Sequence, residues 1–353
     1  MLTRVAGKPG HDSYVNALVV SSDGRWVATA SGDSTIILWD ARNACISQEW
    51  FAHDNRKVWN LAFSPNGQQL ASAGGDGKVV IWDISGSSQQ VATLTAQRRA
   101  SRTRRTSMFR EFAWSSDGDY IAFRDHNYTM QLWDGRTFQL LDRLKHTPVE
   151  PVFSPDSRWL LVYGWDSLFA WNVASGACLT LQSQDDKHGI PLRAAFTRLS
   201  THIAVGYGDG KVRVWDFTTR QEPLLWNAHD DKVMVLVFSP DDLLLLSAST
   251  DETMKMWNAR TGAMVQSFEG HESMVNMARF SPCGKFVASA SCDKTVRVWR
   301  ANNGTCLATL SDHGDEVTHV AFTPDGTMLW SAADDGTVLG RRLQDIIPDD
   351  FIP

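Results

Sequence analysis

Residues 58–83 read VWNLAFSPNGQQLASAGGDGKVVIWD and set apolar side chains at alternating positions such as Leu61 and Phe63. The run breaks at Ser64-Pro65-Asn66-Gly67, resumes over 69–73, turns at Gly74-Gly75-Asp76-Gly77 and ends in Val79, Ile81 and Trp82. Apolar residues at a period of two, punctuated by Gly, Asp and Pro, predict short β-strands joined by tight turns. No stretch of the chain carries a helical period, so the expectation is an all-β protein.

The same text returns along the chain as DSTIILWD at 33–40, DGKVRVWD at 209–216, DETMKMWN at 251–258 and DKTVRVWR at 293–300. Tryptophans 39, 82, 133, 171, 215, 257 and 299 stand 43, 51, 38, 44, 42 and 42 residues apart, and a further step of 42 falls on Arg341. A repeat of roughly 43 residues is the period of a four-stranded propeller blade.

These residues resemble the WD40-repeat family over essentially the whole chain. The family's structural tetrad, a His before the first strand, a Ser or Thr in the second, an Asp in the next turn and a Trp in the third, is spelled four times. The copies are His11, Thr29, Asp33, Trp39; His53, Ser72, Asp76, Trp82; His229, Ser247, Asp251, Trp257; and His271, Ser289, Asp293, Trp299. The resemblance implies a closed β-propeller of four-stranded WD40 blades, eight by the count of units, with the family's commoner seven as the alternative. It implies a single domain over 1–353, with a strand at 2–6 completing the last blade and leaving no open sheet edge. Physically, a blade is a small sheet that needs its neighbours to cover it, and a buried Asp needs its oxygens filled. The carboxylate can accept from the imidazole, the imidazole can donate onward to the hydroxyl, and the hydroxyl can meet the indole N–H.

Several units depart from the pattern. Unit three has Asn127 at the turn, unit four has His146 but Val162 for the hydroxyl, and unit five has Val205 there with His188 one residue off register. Unit eight keeps His313, Ser331 and Asp335 but ends in Arg341. Units three to five thus form a contiguous weak sector.

Composition adds little to this picture. The chain has 353 residues, a net charge of −6 and 43% hydrophobic residues, with no apolar run of the roughly 18 residues a helical membrane span needs and no signal-peptide core. A cytoplasmic, and also nuclear, protein is expected, with no membrane partner. The initial Met points to a standalone chain or a trimmed piece of one. Mild acidity exerts no general pull on nucleic acid. Five cysteines without a CxxC pair suggest reduced thiols in the core rather than disulfides or zinc, and Cys45, Cys178 and Cys306 share one repeat position.

Three features are candidates for function. The resemblance implies that partners dock where inner strands start and just before the turn Asp, which selects Tyr14, Lys57, Trp59, Met108, Arg110, Trp165, Ile190, Leu192, Lys232, Met234 and Met274. Trp and Met are enriched at interfaces, and thioethers adapt to varied partners. Second, AQRRASRTRRTSMFREF packs arginines from Arg98 to Arg110 into one loop. It could dock an acidic or phosphorylated partner, and Ser101 and Ser107 could accept phosphate; without interleaved aromatics it does not favour nucleic acid. Third, WDAR at 39–42 is similar to the box by which some family members attach to the adaptor of cullin ubiquitin ligases, Arg42 being the contact.

No GxSxG, HExxH or Walker loop is present, so neither enzymatic activity nor a cofactor is expected. The leading expectation is a non-enzymatic scaffold presenting its rim to protein or peptide partners. The alternatives are a substrate receptor of a cullin ubiquitin ligase and a sensor-type repeat domain of a larger NACHT-like signalling protein.

Overall fold

The computed structural model describes residues 10–86, 88–95, 112–124, 129–144, 148–164, 167–182, 189–217 and 223–347. The protein is an eight-bladed β-propeller. Each blade is an antiparallel meander, the first with strands Val15–Val20, Trp26–Ser31, Thr35–Asp40 and Cys45–Phe51 in spatial order. The inner strands follow one another round the ring at Val58–Phe63, Phe112–Trp114, Pro148–Phe153, Pro191–Phe196, Val233–Phe238, Val275–Phe280 and Val317–Phe322. Each neighbours the next, and the last neighbours the first. Blade eight shows three strands among the described residues, and Gly10 forms an antiparallel bridge with Thr337 at its outer edge. The expected strand at 2–6 lies outside the described residues. Among the described residues helix is limited to one turn at Leu343–Ile346 and a 3-10 turn at His53–Asn55.

The apolar core lies between blades rather than inside them. Leu38 and Ile36 of blade one pack with Leu70 and Trp82 of blade two, Met256 with Trp299 across blades six and seven, and Trp330 of blade eight with Trp39 of blade one. Second and third strands are therefore covered on both faces: Val27, Ala28, Ile36 and Ile37 are all fully buried. Each sheet face needs a neighbour to leave water, so burial of apolar area drives closure of the ring.

The turn between first and second strands uses a left-handed residue, glycine in blades one, two, three, seven and eight. In blades four, five and six it is Ser157, Ser200 and Asp242, with φ of 59, 57 and 61°. Such a conformation is unfavourable for a residue with a Cβ, and each side chain offsets it with a bond that glycine cannot make. Ser157 accepts the Asp117 N–H at 3.1 Å, Ser200 that of Asp156 at 3.1 Å, and the Asp242 carboxylate that of Arg198 at 2.9 Å. These three bonds stitch each blade to the one before it.

The cysteines correct the sequence expectation. Cys45, Cys178, Cys283 and Cys306 are exposed free thiols, and only Cys292 is half-buried. Cys45, Cys178 and Cys306 begin outer strands, whose far side has no further strand to cover it.

Candidate functional site

The four tetrads are hydrogen-bonded clusters. In blade seven the Trp299 indole donates to Ser289 at 2.8 Å, Ser289 lies 2.7 Å from His271 Nε2, and His271 Nδ1 lies 2.7 Å from Asp293. Blades one, two and six repeat this, with indole donation to Thr29, Ser72 and Ser247 at 2.9, 2.8 and 2.8 Å. The imidazole contacts to Asp33, Asp76 and Asp251 measure 3.2, 2.9 and 3.0 Å. Burial pushes His229 and His271 below the ordinary histidine value despite their carboxylates. A neutral imidazole carries one proton, which the carboxylate takes at Nδ1, so Nε2 accepts from the hydroxyl. The relay runs indole, hydroxyl, imidazole, carboxylate, the reverse at its middle step of the direction expected from sequence. Burial alone would raise Asp293, but bonds from Thr295 and His271 outweigh it and hold it at about 2.

A fifth member escaped the sequence reading. Thr35, Thr253, Thr295 and Thr337 each donate to the turn carboxylate two residues earlier, at 2.6 to 2.7 Å. The recurring Asp-x-Thr at 33–35, 251–253, 293–295 and 335–337 was its signal. In blade eight Arg341 takes the place of the indole, donating to Ser331 at 3.2 Å and to Asp312 at 2.8 Å. Blade four lacks the hydroxyl, and the buried Trp171 indole N–H has no hydrogen-bond partner among the described residues.

The rim is shaped by a bulge. In blades one, two and four to eight the ladder slips between the first and third residues of the inner strand. The second residue is the extra one, and a bulge re-aims its side chain. Where that residue is polar it reaches the next blade: Asn16 donates to the Val58 carbonyl at 2.9 Å, Asn276 to Val317 at 3.0 Å and Thr318 to Val15 at 3.3 Å. In blades two, five and six it is Trp59, Leu192 and Met234, all half-buried, with Trp59 and Met234 in the wall of the central channel. Ile190 is 41% exposed above Leu192. Met274 is half-buried and Lys232 exposed. The Lys57 ammonium contacts the Tyr14 hydroxyl and lies 5.1 Å from the Tyr14 ring and 5.8 Å from the Trp59 ring. Met108, Arg110, Trp165, the Arg98–Arg110 loop and both serines, Ser101 and Ser107, lie outside the described residues.

The rim of blades seven and eight differs in charge. Burial and the nearby Glu316, Asp315 and Asp335 push Asp334 up. Burial and Glu316 push the Cys292 thiol to about 11, so it stays protonated and unreactive at neutral pH. Below the rim the channel encloses about 600 Å³, lined by Glu150, Arg193, Arg279 and His319 among others. On the opposite face Arg42 is exposed, beside a groove that includes Leu310, Met328, Arg341 and Ile346. Among the described residues no three His, Cys, Asp or Glu side chains converge to hold a metal ion, and no helix is long and apolar enough to cross a membrane.

The family model described as WD domain, G-beta repeat matches residues 3–40, 44–83, 182–216, 221–258, 262–300 and 304–339. The anaphase-promoting complex subunit cdc20 of Dictyostelium discoideum is 24% identical over 270 residues, 70% of this chain and 49% of that protein. Apoptotic protease-activating factor 1 of Homo sapiens is 26% identical over 268 residues, 72% of this chain and 19% of that protein. This chain thus aligns with about half of the first and a fifth of the second. The crystal structure of the computationally designed Ika8 protein superposes with a TM-score of 0.79 at 26% identity, covering 96% of this chain and all of that one.

Proposed function

The chain belongs to the WD40-repeat family, and from that premise we propose that it is a non-enzymatic scaffold whose apolar rim sector seats an extended protein segment. The observation that carries this reading is the contrast at one bulge position. Asn16, Asn276 and Thr318 spend their polarity on the neighbouring blade, whereas Trp59, Leu192 and Met234 present apolar surface there. Lys57 and Lys232 supply charge beside it, a pattern of apolar centre and polar edge that interfaces favour. The Dictyostelium relative is named as a subunit of a complex, which agrees with a binding role. The test is affinity purification with Trp59→Ala, Leu192→Ser and Met234→Ser against a control at Leu243, which is 65% exposed at a turn on the far face. The rim variants lose partners that Leu243→Ser keeps. Identical partners for all four folded proteins would remove this reading.

A second reading is favoured by Arg42, which is exposed on the opposite face near the Asp325 charge and lines a groove of mixed polarity with Leu310, Met328, Arg341 and Asp345. There the chain would bind the adaptor of a cullin ubiquitin ligase and act as a substrate receptor. Arg42→Ala then abolishes adaptor capture while the rim partners remain; absence of capture by the unaltered protein disposes of it.

A further inference from the structure

The central channel carries charges that the scaffold itself does not balance. At the third position of the inner strands stand Glu150, Arg193 and His319, and at the fifth position of blade seven stands Arg279. The Glu150 carboxylate is already engaged: Tyr163 donates to it at 2.7 Å and the Arg193 guanidinium lies 3.9 Å away. Arg279 makes one hydrogen bond, to the carbonyl of Ala278 at 2.9 Å, and no ion pair among the described residues. A guanidinium has five N–H donors in a planar fork. The remaining exposure of Arg279 is to the channel it lines, where among the described residues no acceptor meets its other donors.

Two guanidinium groups thus face one carboxylate. Burial pushes Arg279 below its ordinary value, Glu150 opposing and Arg193 reinforcing the shift. His319 does not add a third charge at neutral pH, since burial and then Arg279 push it down to about 4. The channel holds one net positive charge, partly stripped of water, in a space of about 600 Å³. A buried charge is costly unless paired, and a planar fork is best satisfied by the oxygens of a carboxylate or phosphate.

We propose that the channel is a binding site for a single oxyanion group, phosphate or carboxylate, held by Arg279 with Arg193 alongside. The group comes either from a small free anion or from an acidic side chain of a segment lying on the rim. The site does not depend on the apolar rim contacts, so the two readings fail separately.

The test follows binding of inorganic phosphate by the rise in melting temperature at ionic strength held constant with chloride. The unaltered protein shows a saturable rise. Arg279→Gln weakens phosphate binding at least about 10-fold, the scale expected for one charge-assisted pair, and without phosphate it melts no lower than the unaltered protein, because an unpaired charge is gone. Glu150→Gln has the opposite sign and tightens binding, since a competing carboxylate is removed. Arg193→Gln, read by its loss of phosphate affinity, takes the place of Arg279→Gln if that variant does not fold. A second arm compares acetyl-Leu-Glu-Leu-amide with its Gln counterpart. Preference for the Glu peptide, lost in Arg279→Gln, assigns the oxyanion to a partner's side chain; phosphate binding alone assigns it to a free anion. Absence of binding by both probes, or equal binding by the unaltered protein and Arg279→Gln, overturns the proposal. Leu243→Ser, at an exposed turn on the far face, leaves phosphate binding unchanged.

Discussion

Blades seven, eight and one are tied together at the rim, through Asn276 and Thr318 reaching forward and through braces centred on His271, His313 and His11. Blades three to five are held differently. There Val162 and Val205 replace brace hydroxyls, and the stitches lie on the opposite face, where Ser157, Ser200 and Asp242 receive backbone N–H groups. Tyr163 and Tyr207, both buried, send their hydroxyls to Glu150 and Gln182 at 2.7 Å each. The lesson is that apolar packing covers the middle of each inter-blade boundary and polar bonds fasten its ends. They do so at the rim from blade seven to blade one and on the far face from blade three to blade six, with blades one and two fastened at both ends. The family model matches blade five but passes over 84–181, so blades three and four are where the common brace text is most eroded.

The largest effect expected is in the braced sector. Ser289→Ala strips the hydrogen-bond partner from both the Trp299 indole and His271 Nε2, and two buried polar groups left unpaired cost about 3 kcal/mol together. Urea unfolding measures it; a loss below about 1 kcal/mol would mean the brace is not what distinguishes this sector.

Acid should separate the two regions next. Burial, then the Arg341 charge, push His313 down to about 4. The unfolded chain takes up that proton near the ordinary value of about 6.5, so it binds more protons than the folded state between those pH values. Stability contributed by keeping His313 neutral is therefore intact above about pH 6.5 and lost as pH falls toward 4, by up to about 3 kcal/mol. Hydrogen exchange at pH 5 against pH 7 should show 317–342 opening before 159–172, and His313→Gln should flatten that difference. Equal acceleration in both segments would erase the distinction.

The smallest effect runs the other way. Val162→Thr restores a hydroxyl beside the Trp171 N–H, and one new hydrogen bond of about 1 kcal/mol, less the cost of burying the hydroxyl, leaves a gain of about 0.5 kcal/mol. A loss in the urea midpoint would show that blade four no longer has the geometry of a brace.

Much of this was legible beforehand because it is local. The tetrads sit within one repeat, at spacings set by strand and turn lengths, so His271, Ser289, Asp293 and Trp299 could be picked from text alone. The Thr after the turn Asp was equally local and was simply missed. The role of Arg341 was not legible: nothing in DDGTVLGRRL states that a guanidinium reaches Ser331 and Asp312. Nor was the exposure of Cys45 and Cys178, since apolar-looking positions on an outer strand are covered only if another sheet lies beyond it.

The sequence by itself determined the period, the strand alternation and the contents of each brace, since these depend on residues a few strands apart in one blade. Only the tertiary structure decided that the bulged Asn16, Asn276 and Thr318 bond to the neighbouring blade. It also decided that Glu150, Arg193, Arg279 and His319, taken from four different repeats, line one channel. Closure of the ring creates those proximities, and no spacing within a repeat encodes them.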